Sequence, residues 1–124
     1  MSQNDITYIT DASMITCVVP AGKADNVLKA ARELGVGGGI VIQGRGTGIR
    51  ERLGIFGIAV EVDKEIVLMM VANERRDILI ESLFRTAELN SVAEGFIYAA
   101  PVDKAAVYVP DTVIEQLERS ESNQ

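Results

Sequence analysis

The sequence predicts an α+β fold, a ferredoxin-like βαββαβ sandwich with a short C-terminal strand and helix. Three observations predict it. Short apolar runs at residues 14–19, 39–43, 66–71 and 95–100 alternate with stretches of helical apolar spacing at 23–34 and 74–87. Pro and Gly punctuate the boundaries, at Pro20-Ala21-Gly22, Gly35 and Pro101. Aromatic residues make up 5% of the chain and Trp is absent, so the core is built from Val, Ile, Leu, Ala and Met. Right-handed crossovers turn this order into one antiparallel sheet with two helices on one face.

In chain order, Ile6-Thr7-Tyr8-Ile9 adds an edge strand within an N-terminal extension, residues 1–13. The run 14–19 is a central strand that ends at Pro20. Val27, Leu28, Ala31 and Leu34 form the apolar stripe of the first helix, which Gly35 caps in the left-handed conformation. The second strand, 39–43, opens into a loop expected over 44–57. Apolar character returns at 58–62, is interrupted by Asp63-Lys64-Glu65, and resumes at 66–71 as a nearly continuous buried strand. Asn73 is the expected N-cap of the second helix, with Ile78, Leu79, Leu83 and Phe84 inward and Arg75, Arg76, Asp77 and Glu81 toward water. Strands at 95–100 and 105–109 follow, then a helical piece at 113–117 and a solvated tail over 118–124. The 124 residues read as a single domain.

A formal charge of −6 opposes a nucleic-acid partner, since phosphate neutralisation needs a basic face. No apolar run reaches the length of a membrane span and the N-terminus does not resemble a secretory signal, so a cytoplasmic location without membrane insertion is expected. The chain has no His, which removes imidazole base chemistry and His-ligated metal sites. Its carboxylates and methionines do not cluster at ligand spacing, so no metal and no catalytic residue is assigned. Cys17, inside an apolar run, is expected to be a buried core thiol.

The most informative stretch is Gly44-Arg45-Gly46-Thr47-Gly48-Ile49-Arg50-Glu51-Arg52. Alternate glycines expose backbone N–H groups which, with the arginines, could cradle an anion or grip an acidic partner. The bland reading is an exposed connection kept soluble by its arginines. It is neither a phosphate-binding Walker loop nor a dinucleotide fingerprint, because no Gly-Lys-Ser/Thr follows and no helix starts within it. Gly37-Gly38-Gly39 is a helix-to-strand turn or a site of close approach. Leu53, Ile55 and Phe56 form an apolar tip suited to contact with a partner. Lys64 either neutralises a phosphate or belongs to a charged strand interruption.

These residues together resemble the PII signal-transduction family (nitrogen regulatory protein P-II). The likeness runs through a strand, Pro20, the helix Lys23-Ala24-Asp25-Asn26-Val27-Leu28-Lys29-Ala30, Glu33-Leu34-Gly35, a strand and Gly44-Arg45-Gly46. It continues with Leu83-Phe84-Arg85-Thr86-Ala87, Glu94-Gly95-Phe96-Ile97-Tyr98 and Pro101-Val102-Asp103-Lys104-Ala105. The resemblance implies a trimeric regulator with adenine nucleotides in the clefts between subunits and a long T-loop that docks on transporters or enzymes. By position it places Gly44 and Gly46 at the T-loop base, Lys64 just after that loop, and Gly95 in the loop covering the phosphates. The chain departs from the family pattern at Phe96, which follows Gly95 where the family has a lysine. It departs again at Val107 and Val109, where two arginines flank the triphosphate, and at Gly48, where a glutamine is expected. No Tyr lies between Gly44 and Lys64 to be uridylylated.

The expected function is therefore regulation. A homotrimer, joined through an uncovered sheet face as apolar as the Met69-Met70 run, binds ATP, ADP or another small anion through Gly44, Arg45, Gly46, Thr47, Gly48, Lys64 and Gly95. Arg50, Arg52, Leu53, Ile55 and Phe56 meet a target, a membrane transporter or a metabolic enzyme. A non-sensing oligomeric scaffold of the same fold is the alternative.

Overall fold

The computed structural model describes residues 5–46, 62–90, 95–113 and 116. In chain order the elements are β1 (Thr7–Ile9), β2 (Ala12–Pro20), α1 (Ala24–Glu33), β3 (Ile40–Gly46), β4 (Val62–Ala72), a single 3-10 turn (Asn73–Arg75), α2 (Arg76–Thr86), β5 (Phe96–Val102) and β6 (Ala105–Val107). The chain forms two compact units, Ala12–Pro101 and the pairing of Met1–Asp11 with Val102–Gln124.

In the larger unit the strands lie in the order β3-β4-β2-β5. This is the ferredoxin-like βαββαβ arrangement: the first and third strands of the motif, β2 and β4, are central, and each helix crosses over them. Strand β4 pairs antiparallel with both neighbours, and Val67 lies opposite Cys17 on one side and Val41 on the other. Because side chains alternate along a strand, this register decides which residues the helices cover. Ile15, Cys17, Val19, Val67, Met69 and Val71 face α1 and α2 and join Val27, Ala31, Leu79 and Leu83 in one core. Each large side chain buried there contributes roughly 1.5–3 kcal/mol.

The opposite face carries Met14, Val18, Ile66, Leu68 and Met70, all half-buried. At its two edges Ile40 is 64% exposed and Phe96 56%, with Ile42 and Tyr98 beside them. The orientation of Phe96 and Tyr98 follows from β5 itself, since Ile97 and Ala99 pack into the core from the other side. Their rings stack with centroids 6.2 Å apart and planes 17° from parallel.

Several sequence expectations are corrected. Asp63-Lys64-Glu65 does not interrupt a strand; all three belong to β4. That strand alternates in burial instead of being continuously buried, so Met69 enters the core and only Met70 reaches the uncovered face. Gly44, Arg45 and Gly46 extend β3 and do not begin the loop. Asn73 opens a 3-10 turn whose N-cap is Ala72, and its side-chain oxygen accepts the hydroxyl proton of fully buried Ser13. On α2, Leu79 and Leu83 are buried, whereas Ile78 and Phe84 lie outside the core at 61% and 39% exposure. Arg75 does more than face water: its guanidinium donates to the Leu34 carbonyl and lies along Gly35. Pro101 sits inside β5, tolerated because β5 is an edge strand and one N–H row stays unpaired.

Other expectations hold. Gly35 has φ +93°, ending α1 in the left-handed region. In the smaller unit β1 pairs antiparallel with β6, Thr7 opposite Val107. A short helical turn follows, with the Val113 N–H donating to the Pro110 carbonyl. Of the apolar run expected over 58–62, Val62 opens β4 and residues 58–61 lie outside the described residues, as do the loop tip and the tail over 118–124.

Gly95, at the entry of β5, has φ +123°, and a Cβ there would fall 1.8 Å from the Val18 carbonyl oxygen. Gly95→Ala therefore combines backbone strain with a steric collision and is expected to cost more than about 3 kcal/mol. Leu83→Ala, a pure cavity change in the core, should cost about 2–5 kcal/mol. Urea unfolding of both variants checks these values; wild-type stability for Gly95→Ala would contradict the packing described.

Candidate functional site

The end of β3 brings the candidate residues together through four cross-strand pairs. Gln43 lies opposite Glu65, Gly44 opposite Lys64, Arg45 opposite Asp63, and Gly46 opposite Val62. Alternation splits them into two rows. Gln43, Arg45, Asp63 and Glu65 lie on the helix side, while Gly44, Gly46 and Lys64 lie on the uncovered side.

On the helix side, Arg45 Nε stands 3.4 Å from Asp63 Oδ1, with both side chains more than two-thirds exposed. A pair so exposed contributes about 0–1 kcal/mol, so another anion can replace the Asp63 carboxylate at little cost. Gln43, Gly44, Arg45 and Asp63 line a hollow of about 340 Å³. A larger groove of about 500 Å³ runs along α2 beside Asp77, Ile80, Glu81, Phe84, Arg85 and Asn90. Its charges are already matched within the helix, Arg85 to Glu81 at 3.2 Å and Arg76 to Asp77 at 3.0 Å. The smaller hollow, where Gly44 lies beside the exposed Arg45–Asp63 pair, is the better candidate.

On the uncovered side Lys64 is buried to 8% exposure. A Cβ on Gly46 would meet Lys64 Cγ at 3.6 Å, so the bare glycine edge leaves room for the lysine stem to lie along β3.

Glu65 ties the site to the rest of the unit. Helix α1 begins at Lys23 without any side-chain cap of its own. Glu65 Oε1 instead accepts the backbone N–H groups of Gly22 and, at 3.3 Å, of Ala24, while Oε2 accepts the Gln43 amide at 3.2 Å. The Ala24 N–H is the largest influence holding its carboxyl below the usual glutamate range; partial desolvation opposes it, and Gly22, Gln43 and Lys23 add to the lowering. One carboxylate thus joins β4, the start of α1 and the last turn-proximal residues of β3. Sequence reasoning missed Glu65, although the uncapped start Gly22-Lys23-Ala24 signals that a capping group must come from elsewhere.

The remaining candidates divide cleanly. Gly95 lies at the far edge of the sheet from β3 and packs on the β2 backbone. Thr47, Gly48, Arg50, Arg52, Leu53, Ile55 and Phe56 lie outside the described residues. Cys17 is buried, and desolvation pushes its thiol up to about 11. Among the described residues no helix is long and apolar enough to cross a membrane, and no group of three acidic or thiol side chains is placed to hold a metal.

The family model for nitrogen regulatory protein P-II matches residues 12–112. No curated protein matches the chain. Among solved structures, the crystal structure of Arabidopsis thaliana PII bound to citrate aligns with a TM-score of 0.60 and 20% sequence identity, covering 76% of this chain and 79% of that one. At that identity the likeness speaks for the fold.

Two measurements check the site. Glu65→Ala should cost about 1–2 kcal/mol through the lost helix cap. Because the folded-state pKa of Glu65 is depressed, its contribution is present above the ordinary glutamate pKa and is lost as pH falls through the folded value. Melting temperature should therefore fall more steeply below pH about 4.3 in the wild type than in Glu65→Gln. Cys17 should react with thiol reagents only at the unfolding rate; fast labelling of the native protein would contradict its burial.

Proposed function

Because the chain belongs to the nitrogen regulatory protein P-II family, we propose that it is a signalling protein and not an enzyme. It works as a cytoplasmic homotrimer, takes a small anionic effector in the clefts between subunits, and regulates a target protein through residues 47–57. The observation that carries this reading is the end of β3, where Arg45 pairs with an exposed carboxylate over a hollow edged by Gly44. Lys64 and Gly46 support the same strand end from its other side.

The mechanism follows from exchange. An effector carboxylate takes the Arg45 guanidinium with charge-assisted hydrogen bonds and releases Asp63. Arg45 is two residues before Thr47, so a change in its partner acts directly on the direction in which the target-binding segment leaves β3. Gln43, fastened to Glu65, keeps the preceding part of the strand still. The effector needs to favour one arrangement by only a few kcal/mol to shift the population.

Assembly follows from the uncovered sheet face. Ile40 and Ile42 at one edge and Phe96 and Tyr98 at the other leave a broad apolar surface that a second copy covers, and a closed ring satisfies every subunit alike. Membrane transporters and metabolic enzymes are the target classes tested first.

Citrate, which the Arabidopsis thaliana protein binds, is a suitable probe. Calorimetry should show saturable binding with one site per subunit, weakened about tenfold in Arg45→Ala at unchanged oligomer mass. Equal affinity in Arg45→Ala would reject the assignment, a monomer by light scattering would remove the clefts, and silence toward every small anion would favour the scaffold.

A further inference from the structure

We infer that the effector of this chain carries no polyphosphate, and that Phe96 is the residue that determines this specificity. The inference rests on the sensor reading above and narrows its ligand. The family resemblance assigns phosphate contacts to the entry of β5 and to residues 107 and 109, and neither place fits a phosphate.

At the entry of β5, phosphate binding needs either a cation or a concave run of free backbone N–H groups. Gly95 is packed tightly on β2, since a Cβ on it would fall 1.8 Å from the Val18 carbonyl oxygen. That oxygen is an acceptor and repels an anion. The next side chain, Phe96, is stacked on Tyr98 along the uncovered face. This end of the strand is an apolar anchor.

In the smaller unit, Val107 and Val109 occupy the two arginine positions. Lys104 is the sole basic residue between Thr86 and Glu118, against Glu88, Glu94, Asp103, Asp111, Glu115 and Glu118. Its ammonium lies 4.5 Å from the centre of the Tyr8 ring. Tyr8 belongs to β1, which precedes the stretch matched by the P-II family model. The chain thus has apolar side chains where the resemblance puts phosphate-binding cations, carries an excess of acids along 87–118, and sets the one lysine of that stretch, Lys104, over a ring of its own. A triphosphate carrying about four negative charges meets repulsion there, whereas a compact carboxylate held at Arg45 needs none of these residues.

Calorimetry on the full chain with ATP, ADP and citrate, each with and without Mg²⁺, tests the inference. Citrate should saturate while both nucleotides bind at least about tenfold more weakly. Phe96→Lys should raise ATP affinity about tenfold. Val107→Arg, which leaves β5 untouched, should act in the same direction and serves if Phe96→Lys disturbs assembly, as read by light scattering. ATP saturating the wild type as tightly as citrate would overturn the inference while leaving the sensor reading intact. Failure of both variants to gain ATP affinity would overturn the specificity role of Phe96. Silence toward citrate and the nucleotides alike would instead sink the sensor reading itself.

Discussion

Strand β4 is hydrogen-bonded on both sides, and its two-residue period sets the environment of everything around it. One set of its side chains, Val67, Met69 and Val71, builds the centre of the core under the helices. The other set, Lys64, Ile66, Leu68 and Met70, lies on the face the helices leave uncovered. A one-residue slip would exchange the sets, turning Lys64 toward the helices and Val67, Met69 and Val71 away from them, and breaking the core. The same register delivers Asp63 to Arg45 and Glu65 to Gln43, so the candidate site and the core are consequences of a single alignment.

Glu65 shows how that alignment reaches the candidate site. A glutamate on the middle of a sheet would ordinarily be an expensive choice, yet here it supplies the acceptor that the start of α1 lacks. Helix dipole, backbone donors and the Gln43 amide all converge on one carboxylate. The strand end that presents Arg45 is thereby referenced to the helix layer, which keeps an exchangeable ion pair on an otherwise fixed support. Rigid support and a weak, exposed pair are what a ligand-responsive contact needs.

Much of the architecture was legible in the sequence because it rests on periodicity. Val27, Ala31, Leu79 and Leu83 repeat at helical spacing, and the β-branched runs at 14–19 and 66–71 became the two central strands. Where local chemistry competed with pairing, pairing prevailed. Glycines in Gly44-Arg45-Gly46 and charges in Asp63-Lys64-Glu65 both read as loop signals, but Gly44 pairs with Lys64 and Arg45 with Asp63 across the β3–β4 ladder. Ile78 and Phe84 were assigned to the core because a single helix cannot reveal how wide its covered stripe is. Of the candidate site, the arginine and glycines were legible in the sequence and Asp63 and Glu65 were not, because their pairings arise only once β4 lies beside β3.

The pairing of β1 with β6 has a consequence for how the polypeptide is wired. Thr7 against Val107 and Ile9 against Ala105 set the segment entering the main sheet directly beside the segment leaving it. Residues 10–104 are therefore a stretch of chain whose two ends are joined by this pairing. A chain reconnected across that pairing, and opened at some exposed turn elsewhere, would retain every strand neighbour described above, which makes this protein a natural candidate for circular permutation.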